Sequence, residues 1–346
     1  MASAQEIINT VLSNAYQNLL DRFPNGTSWD NIAQVGDFIT SSENNMNTFM
    51  NALINKIAET HIKSKMFSNP LGILKGTKVP YGKTIEEVFI NPVTSMPYQT
   101  DGTYLLKNYT PDGKACYFGQ NRQSTYPITI NKPQLAQAFK SEQDFMSFYN
   151  SIISALYSGD AVDEYTLMKR MLSLAVQNGI MQTVQVGTLI DPKQFAKSIS
   201  TFSKLFTFNS PDYNGYNLVN KTKIENGETA VQTFCPVEDQ CLIIRADVQT
   251  EIDYEVLATM FHMEVAKLEA MTIVVDNFGE QADSNGDLLH NVYAILCDRS
   301  AIQVRDSEFT VNQKFIESNL SWNVFLHHWQ FIYLSMFANC VAFVEK

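Results

Sequence analysis

The run SWNVFLHHWQFIYLSMFANCVAFVEK (321–346) carries no charged residue between Trp322 and Val344. It is long enough to cross a bilayer, it holds the adjacent pair His327–His328, and it also suits a buried strand. Its polar residues speak against the bilayer. His327, His328 and Gln330 stand near its middle, where polar groups in hydrocarbon cost most, and only Glu345 and Lys346 follow it. The histidine pair does not suggest a metal either. Neighbours on a strand face opposite sides, and neighbours on a helix sit ~100° apart, so the two rings do not converge on one ion. Phe325, His327, Trp329, Phe331 and Tyr333 fall on alternate positions, the period of an aromatic-rich strand. The stretch therefore reads as a long, buried terminal strand that packs near a long helix.

That helix is the strongest periodic signal in the chain. Ser141 and Asp144 form a capping-box-like pair, and Phe145, Phe148, Tyr149, Ile152, Ile153, Leu156 and Tyr157 follow at steps of three and four. The pattern resumes at Tyr165, Met168, Met171, Leu172 and Ala175 and stops at Asn178-Gly179. Read as one element, 141–177 is a rod about 55 Å long, with Ser158-Gly159-Asp160 as the place for a kink. Such a rod suits an elongated protein.

The chain has 346 residues, more than one core usually supports, so two subdomains are expected. Hydrophobic residues make up 45% and charged residues 18%, an ordinary globular balance without a disordered block. The N-terminal stretch has no basic region followed by an apolar core, so no secretory signal is expected. Five cysteines at scattered spacing, with no CxxC, read as reduced thiols of a cytosolic product. A net charge of −11 argues against sequence-specific DNA binding, which needs a basic patch. It does not argue against a wall that merely encloses DNA.

Residues 1–65 read as an arm with two helical segments, one carrying Ile7, Ile8, Val11 and Leu12, the other Met46, Phe49, Met50, Leu53, Ile54 and Ile57. Residues 66–130 bring Pro and Gly in quick succession around short runs such as TIEEVFI and YPITI, the pattern of an extended hairpin or loop. From 186 to about 300 the chain looks α/β. A helix starts at Asp191-Pro192 with Phe195, Ile199, Phe202 and Phe206 inside, and CLIIRADV, AMTIVVD, NVYAILCD and AIQVRD read as strands. Another helix is expected near 253–262, and a tight turn at Asp298-Arg299-Ser300.

No GxGxxG, P-loop or HExxH pattern occurs. DSNGD (283–287) departs from a calcium loop, with its glycine two positions early and Ala294 where the bidentate glutamate belongs. His262 and Glu264 have the wrong spacing for one helical face, His61 and His290 stand alone, and Cys235 and Cys241 have no second ligand pair. Glu86 and Glu87 would point to opposite faces of a strand and so cannot act as paired carboxylates. No catalytic, cofactor-binding or metal-binding residue is expected.

The order of parts resembles the Hong Kong-97 phage capsid fold: arm, extended loop, long helix, α/β region, terminal aromatic strand. The segments NPLGILKGTKVPYGKTIEEVFINP (69–92), GDAVDEYTLMKRML (159–172), DQCLIIRADVQTEIDYEVLATMFHM (239–263), AILCD (294–298) and WNVFLHHWQFIYLSMFANCVAFV (322–344) are similar to the major head proteins of small podoviruses infecting Gram-positive bacteria. The resemblance implies an α+β chain divided into an N-terminal arm (1–65), an extended E-loop (66–130), a peripheral domain with the spine helix (131–185), an axial A-domain (186–300) and closing strands of the peripheral domain (301–346). It implies a structural, non-enzymatic virion protein, assembled in the cytoplasm of the bacterial host. Copies would gather as pentamers and hexamers of an icosahedral or prolate head around double-stranded DNA, with a scaffolding protein and a portal protein as partners and no membrane. The short arm leaves a separate scaffold as the expectation, and the ending leaves no room for an added immunoglobulin-like domain. Two rivals stand beside this reading: an encapsulin-type shell around enzyme cargo, and an enzyme that uses one of the histidines.

Overall fold

The computed structural model describes residues 9–10, 32–59, 67–79, 84–97, 108–186, 192–251, 272–278 and 292–345. The elements in chain order are helices α1 (Ile32–Thr40) and α2 (Glu43–Glu59), strands β1 (Thr84–Ile90), β2 (Gly113–Gly119) and β3 (Arg122–Asn131), and helices α3 (Lys132–Ala138) and α4 (Glu142–Gln177). Strand β4 (Gln182–Val186), helix α5 (Pro192–Phe206), β5 (Gln240–Arg245), β6 (Thr272–Val275), β7 (Val292–Asp298), β8 (Ile302–Ile316), β9 (Ser321–Leu334) and β10 (Cys340–Glu345) follow, with short helices between them. The first expected helical segment, the expected helix near 253–262 and the 283–287 loop lie outside the described residues.

The chain divides into two compact units. The first comprises Met1–Asn69, Arg122–Glu164 and Asp306–Gln330, and the second Pro70–Asn121, Tyr165–Arg305 and Phe331–Lys346.

The long helix forms as its periodicity demands. Ser141 caps it by accepting the Asp144 N–H at 3.1 Å, and its hydroxyl donates to the Asp144 carboxylate at 2.7 Å. It ends in a Schellman turn. Gly179 takes φ 68°, its N–H donates to Val176 O, and the Ile180 N–H donates to Ala175 O. The helix runs through Gly159 without a break. A glycine inside a helix costs about 1 kcal/mol, and the apolar packing on both sides of this one outweighs that.

In the first unit β3, β9 and β8 form a three-stranded sheet in that order. β3 and β9 run antiparallel from Arg122↔Gln330 to Asn131↔Ser321. The strand at 122–131 therefore leaves the extended loop expected over 66–130 and becomes part of a packed sheet, because its inner residues meet a core. Val35, Ile39, Met46, Phe49 and Met50 of α1 and α2 pack there with Phe145, Tyr149, Ile152 and Leu156 of α4 and with Trp322, Val324 and Leu326 of β9. Gly36 allows α1 to approach closely, since a Cβ there would stand 2.7 Å from Phe139 Cβ.

In the second unit the sheet order is β4-β10-β7-β5-β6. β10 is parallel to β4 and antiparallel to β7, while β5 is antiparallel to β7 and parallel to β6. The inner strands β10, β7 and β5 are apolar on both faces because both faces are covered. Cys241, Ile243, Ile295, Cys340 and Ala342 pack with Met168, Leu172 and Ala175 of α4. Leu242, Ile244, Leu296, Val341 and Phe343 pack with Phe195, Ile199 and Phe206. The tail expected as one strand is thus two strands in two sheets, parted by a turn at 335–338.

β1 and β2 form a separate antiparallel ribbon, in register from Thr84↔Gly119 to Ile90↔Gly113.

Candidate functional site

Two features stand apart from ordinary core packing. One is the outer face of the β1–β2 ribbon. Burial alternates strictly along both strands, as a ribbon covered on one side requires. On the inner face the Phe118 ring stacks on Tyr333 at 4.0 Å, Phe89 lies 5.5 Å from Phe337, and the Ser335 hydroxyl donates to Glu87. Val88, Ile90 and Tyr117 share the outer face at 60%, 61% and 67% exposure, with Val93 beyond them at 87%. Isolated exposed apolar residues are common, but a contiguous row on one face marks a contact surface. Glu86 and Glu87 do take opposite faces, Glu86 accepting from the Tyr117 hydroxyl at 2.8 Å.

The other feature is a buried polar centre in the first unit, where α4 packs on β3, β9 and β8. On β9 the even positions Trp322, Val324, Leu326, His328 and Gln330 are buried, whereas Phe325 and His327 are half-buried and Trp329 is exposed. The aromatic alternation located the strand, but as far as Trp329 the aromatics occupy its outer face. His327 and His328 consequently part company. His327 lies across from Thr125, with Nδ1 at 3.0 Å from its hydroxyl. His328 points inward and touches carboxylates with both ring nitrogens: Nδ1 lies 2.7 and 2.8 Å from the two Asp160 oxygens, and Nε2 lies 3.0 Å from Asp306 Oδ1. The Phe309 ring stands edge-on to it at 4.8 Å.

Arg122 closes the other side of the centre. Its Nη2 donates to Asp160 Oδ1 at 2.6 Å and to the Tyr126 hydroxyl at 2.9 Å, and Nη1 donates to Gln330 Oε1, the residue directly across the ladder. Gln330 Nε2 donates onward to Glu164 Oε2 at 2.5 Å and Asp306 Oδ1 at 2.7 Å. Asn69 donates to Glu164 Oε1, and Tyr126 donates to Asp163 at 2.7 Å. Burial, then the hydrogen bond to Asp163, pushes the Tyr126 phenol up to about 12. On His328, burial alone would lower the pKa, but the hydrogen bonds and charges of Asp160 and Asp306 outweigh it and raise it.

Glu164, Asp306 and His328 bring one ligand atom each within 4.8 Å of one another. Their oxygens already take N–H donors from Gln330, and Arg122 Nη1 stands 3.8 Å from Glu164. A cation would have to displace Gln330 and sit beside a guanidinium, so the donor set is that of an ion-pair network. The sequence did carry a sign of this centre. Asp160 and Glu164 continue the stripe of Tyr149, Ile153 and Leu156 at steps of three and four before Met168 resumes it, and charged residues on a buried face need partners. Arg122 and Asp306 gave no such sign, because strand register alone brings them there. His61, His262, Glu264 and His290 lie outside the described residues. The five cysteines are free, and Cys241, Cys297 and Cys340 stand side by side on β5, β7 and β10.

The family described as Phi29-like phage major capsid protein matches residues 6–344. The chain belongs to this family. As a phage major capsid protein it is a component of the virion, and the resemblance read from its sequence holds. It is 30% identical to the major capsid protein of Bacillus phage B103 over 346 residues, covering 99% of this chain and 73% of the relative. It is 29% identical to that of Bacillus phage PZA, covering all of this chain and 74% of the relative. Its mixed helix-and-strand fold is similar to a chain in the capsid structure of Staphylococcus phage Andhra, with a TM-score of 0.62, 14% identity, and 83% and 88% of the two chains covered. Phage major capsid proteins form oligomeric shells around the genome, so an outer apolar ribbon face has a ready use in such a chain. No helix among the described residues is long and apolar enough to cross a membrane.

Proposed function

We propose that this chain builds the wall of a phage head in the Hong Kong-97 manner, as pentamers and hexamers around double-stranded DNA, without catalysis. The observation that carries the reading is the family match over 6–344, and the exposed apolar face of the β1–β2 ribbon supports it. In this reading 1–65 is the arm and the region beginning at 66 is the extended loop, which lies across a neighbouring subunit. The helix at 142–177 is the spine, and the five-stranded sheet belongs to the axial domain, with 340–345 supplying one of its strands. A net charge of −11 suits a wall that holds DNA without gripping phosphates. A scaffolding protein sets the curvature, and a portal protein occupies one vertex. Contacts that are weak singly become strong through multiplicity.

The test is to produce the chain with and without the scaffolding protein of the same phage and to image the product by electron microscopy. Closed shells of uniform size with five- and six-fold capsomers are expected with the scaffold. A product that stays monomeric under both conditions, or that encloses enzyme cargo in uninfected cells, would overturn the reading.

A further inference from the structure

We infer that His328 stands as a doubly protonated imidazolium between Asp160 of α4 and Asp306 of β8, and that loss of its proton is an alkaline release built into the first unit. The geometry requires the charge. A neutral imidazole has one N–H and one lone pair. His328 presents both nitrogens to carboxylate oxygens at 2.7–3.0 Å, so a neutral ring would aim its lone pair at an anionic oxygen. Only the imidazolium donates to both sides. Neither side offers an easy exchange. Asp160 is held by Arg122, and Asp306 Oδ1 also accepts from Gln330, so neither carboxylate can swing away without stripping a second donor.

The groups that face the ring come from every element around it. They are Asp160 and Glu164 on α4, Arg122 on β3, Asp306 and Phe309 on β8, and Gln330 on β9; Asp163 is reached through Tyr126. Asp160, Glu164 and Asp306 share one guanidinium's neighbourhood, and the imidazolium supplies a second positive charge. When the proton leaves to solvent, one N–H···O contact becomes a repulsion. The ring must then turn or the centre must open. The sign follows from the raised pKa. The folded state holds the proton more tightly than an unfolded chain, whose histidine titrates near 6.5. The stabilisation is therefore complete below about pH 6.5 and is lost as pH rises through the folded value.

The test uses full-length protein labelled with ¹⁵N-histidine, sedimented and studied by magic-angle-spinning NMR between pH 6 and 9.5. At pH 7.5 an ordinary histidine is about one-eleventh charged. One ring is expected to keep two protonated nitrogens there, and that signal is expected to vanish in His328→Gln. If H328Q does not fold, the same signal is assigned in the wild type by its correlation with Phe309 ring carbons. A second arm follows the melting temperature. Wild-type protein is expected to lose more between pH 7 and pH 9.5 than Asp306→Asn, in which one carboxylate no longer holds the proton. A His328 signal with one protonated and one bare nitrogen at pH 7.5 overturns the inference, as does an identical alkaline slope in both proteins.

Discussion

Replacing Val88, Ile90 and Tyr117 together by threonine is expected to leave the chain folded and to stop it assembling. Threonine keeps the strand preference of these positions while removing most of the apolar row. Full burial of an apolar side chain of this size contributes about 1.5–3 kcal/mol. The three residues are 60–67% exposed in the single chain, so about 1–2 kcal/mol each remains to be gained when a neighbour covers them. That amounts to about 3–6 kcal/mol for each ribbon. Ordering of side chains at the contact takes back part of this. A rise of roughly 100-fold in the threshold concentration for assembly is the working value, at about 1.4 kcal/mol per tenfold. The assay is sedimentation across a concentration series, with thermal melting of the unassembled protein alongside. Melting is expected to change little, because these side chains are mostly exposed and the Tyr117–Glu86 hydrogen bond that the variant loses lies at the surface. Phe118→Ala provides the contrast, since its ring stacks inward on Tyr333 and its loss is expected to lower the melting temperature of the single chain. A triple variant that assembles at the wild-type concentration would refute the assignment of this face.

Other tests address the interior. Arg122→Met is expected to destabilise the first unit by about 3–5 kcal/mol, because it removes the guanidinium from buried Asp160 and Glu164 and leaves His328 as the one positive charge facing the carboxylates; urea unfolding reads it, and the further change Asp160→Asn is expected to restore part of the loss. Phe343→Ala removes a fully buried ring packed edge-on against Phe195 and Phe202 and is expected to cost about 3–5 kcal/mol, read by the same unfolding curves. In native protein at pH 8, a thiol reagent is expected to spare Cys235, Cys241 and Cys297. Burial and neighbouring acids hold the Cys235 thiol up, the contact with Cys297 and then burial hold up Cys241, and Cys340 and burial overcome the lowering contact of Cys241 on Cys297. Half-buried Cys116, raised mainly by burial, is expected to react slowly, and all five only after denaturant is added.

Much of the architecture was legible because periodicity records burial. The stripe of α4, its Ser141 cap and its Gly179 stop are local signals, and local physics suffices to form them. The strands β5, β7 and β10 showed as apolar runs because both faces of their sheet are covered. What escaped was non-local. β4, with the sequence QTVQV, is polar on one side and becomes a strand by pairing with β10 more than 150 residues away. The break in the tail lay hidden because Phe331–Leu334 and Cys340–Val344 are equally apolar, and Ile332 and Leu334 even share a core with Cys340, Ala342 and Val344. The polar centre was half visible in Asp160 and Glu164 and otherwise invisible, since no sequence rule sets Arg122 opposite Gln330.

The place of β10 in its sheet has a consequence for synthesis. β7 is made nearly fifty residues earlier, yet one of its edges waits for β10, and β4 waits longer still. At about 5–20 residues per second, residues 299–345 take roughly 2–9 s to emerge. During that interval a nascent chain displays an apolar strand with one edge unpaired, beside other nascent copies on the same message. Strand edges that wait in this way for β10 are places where neighbouring copies can pair wrongly before the sheet is complete. Conditions that slow translation of this last stretch are therefore expected to lower the yield of soluble subunits more than a pause placed before residue 292.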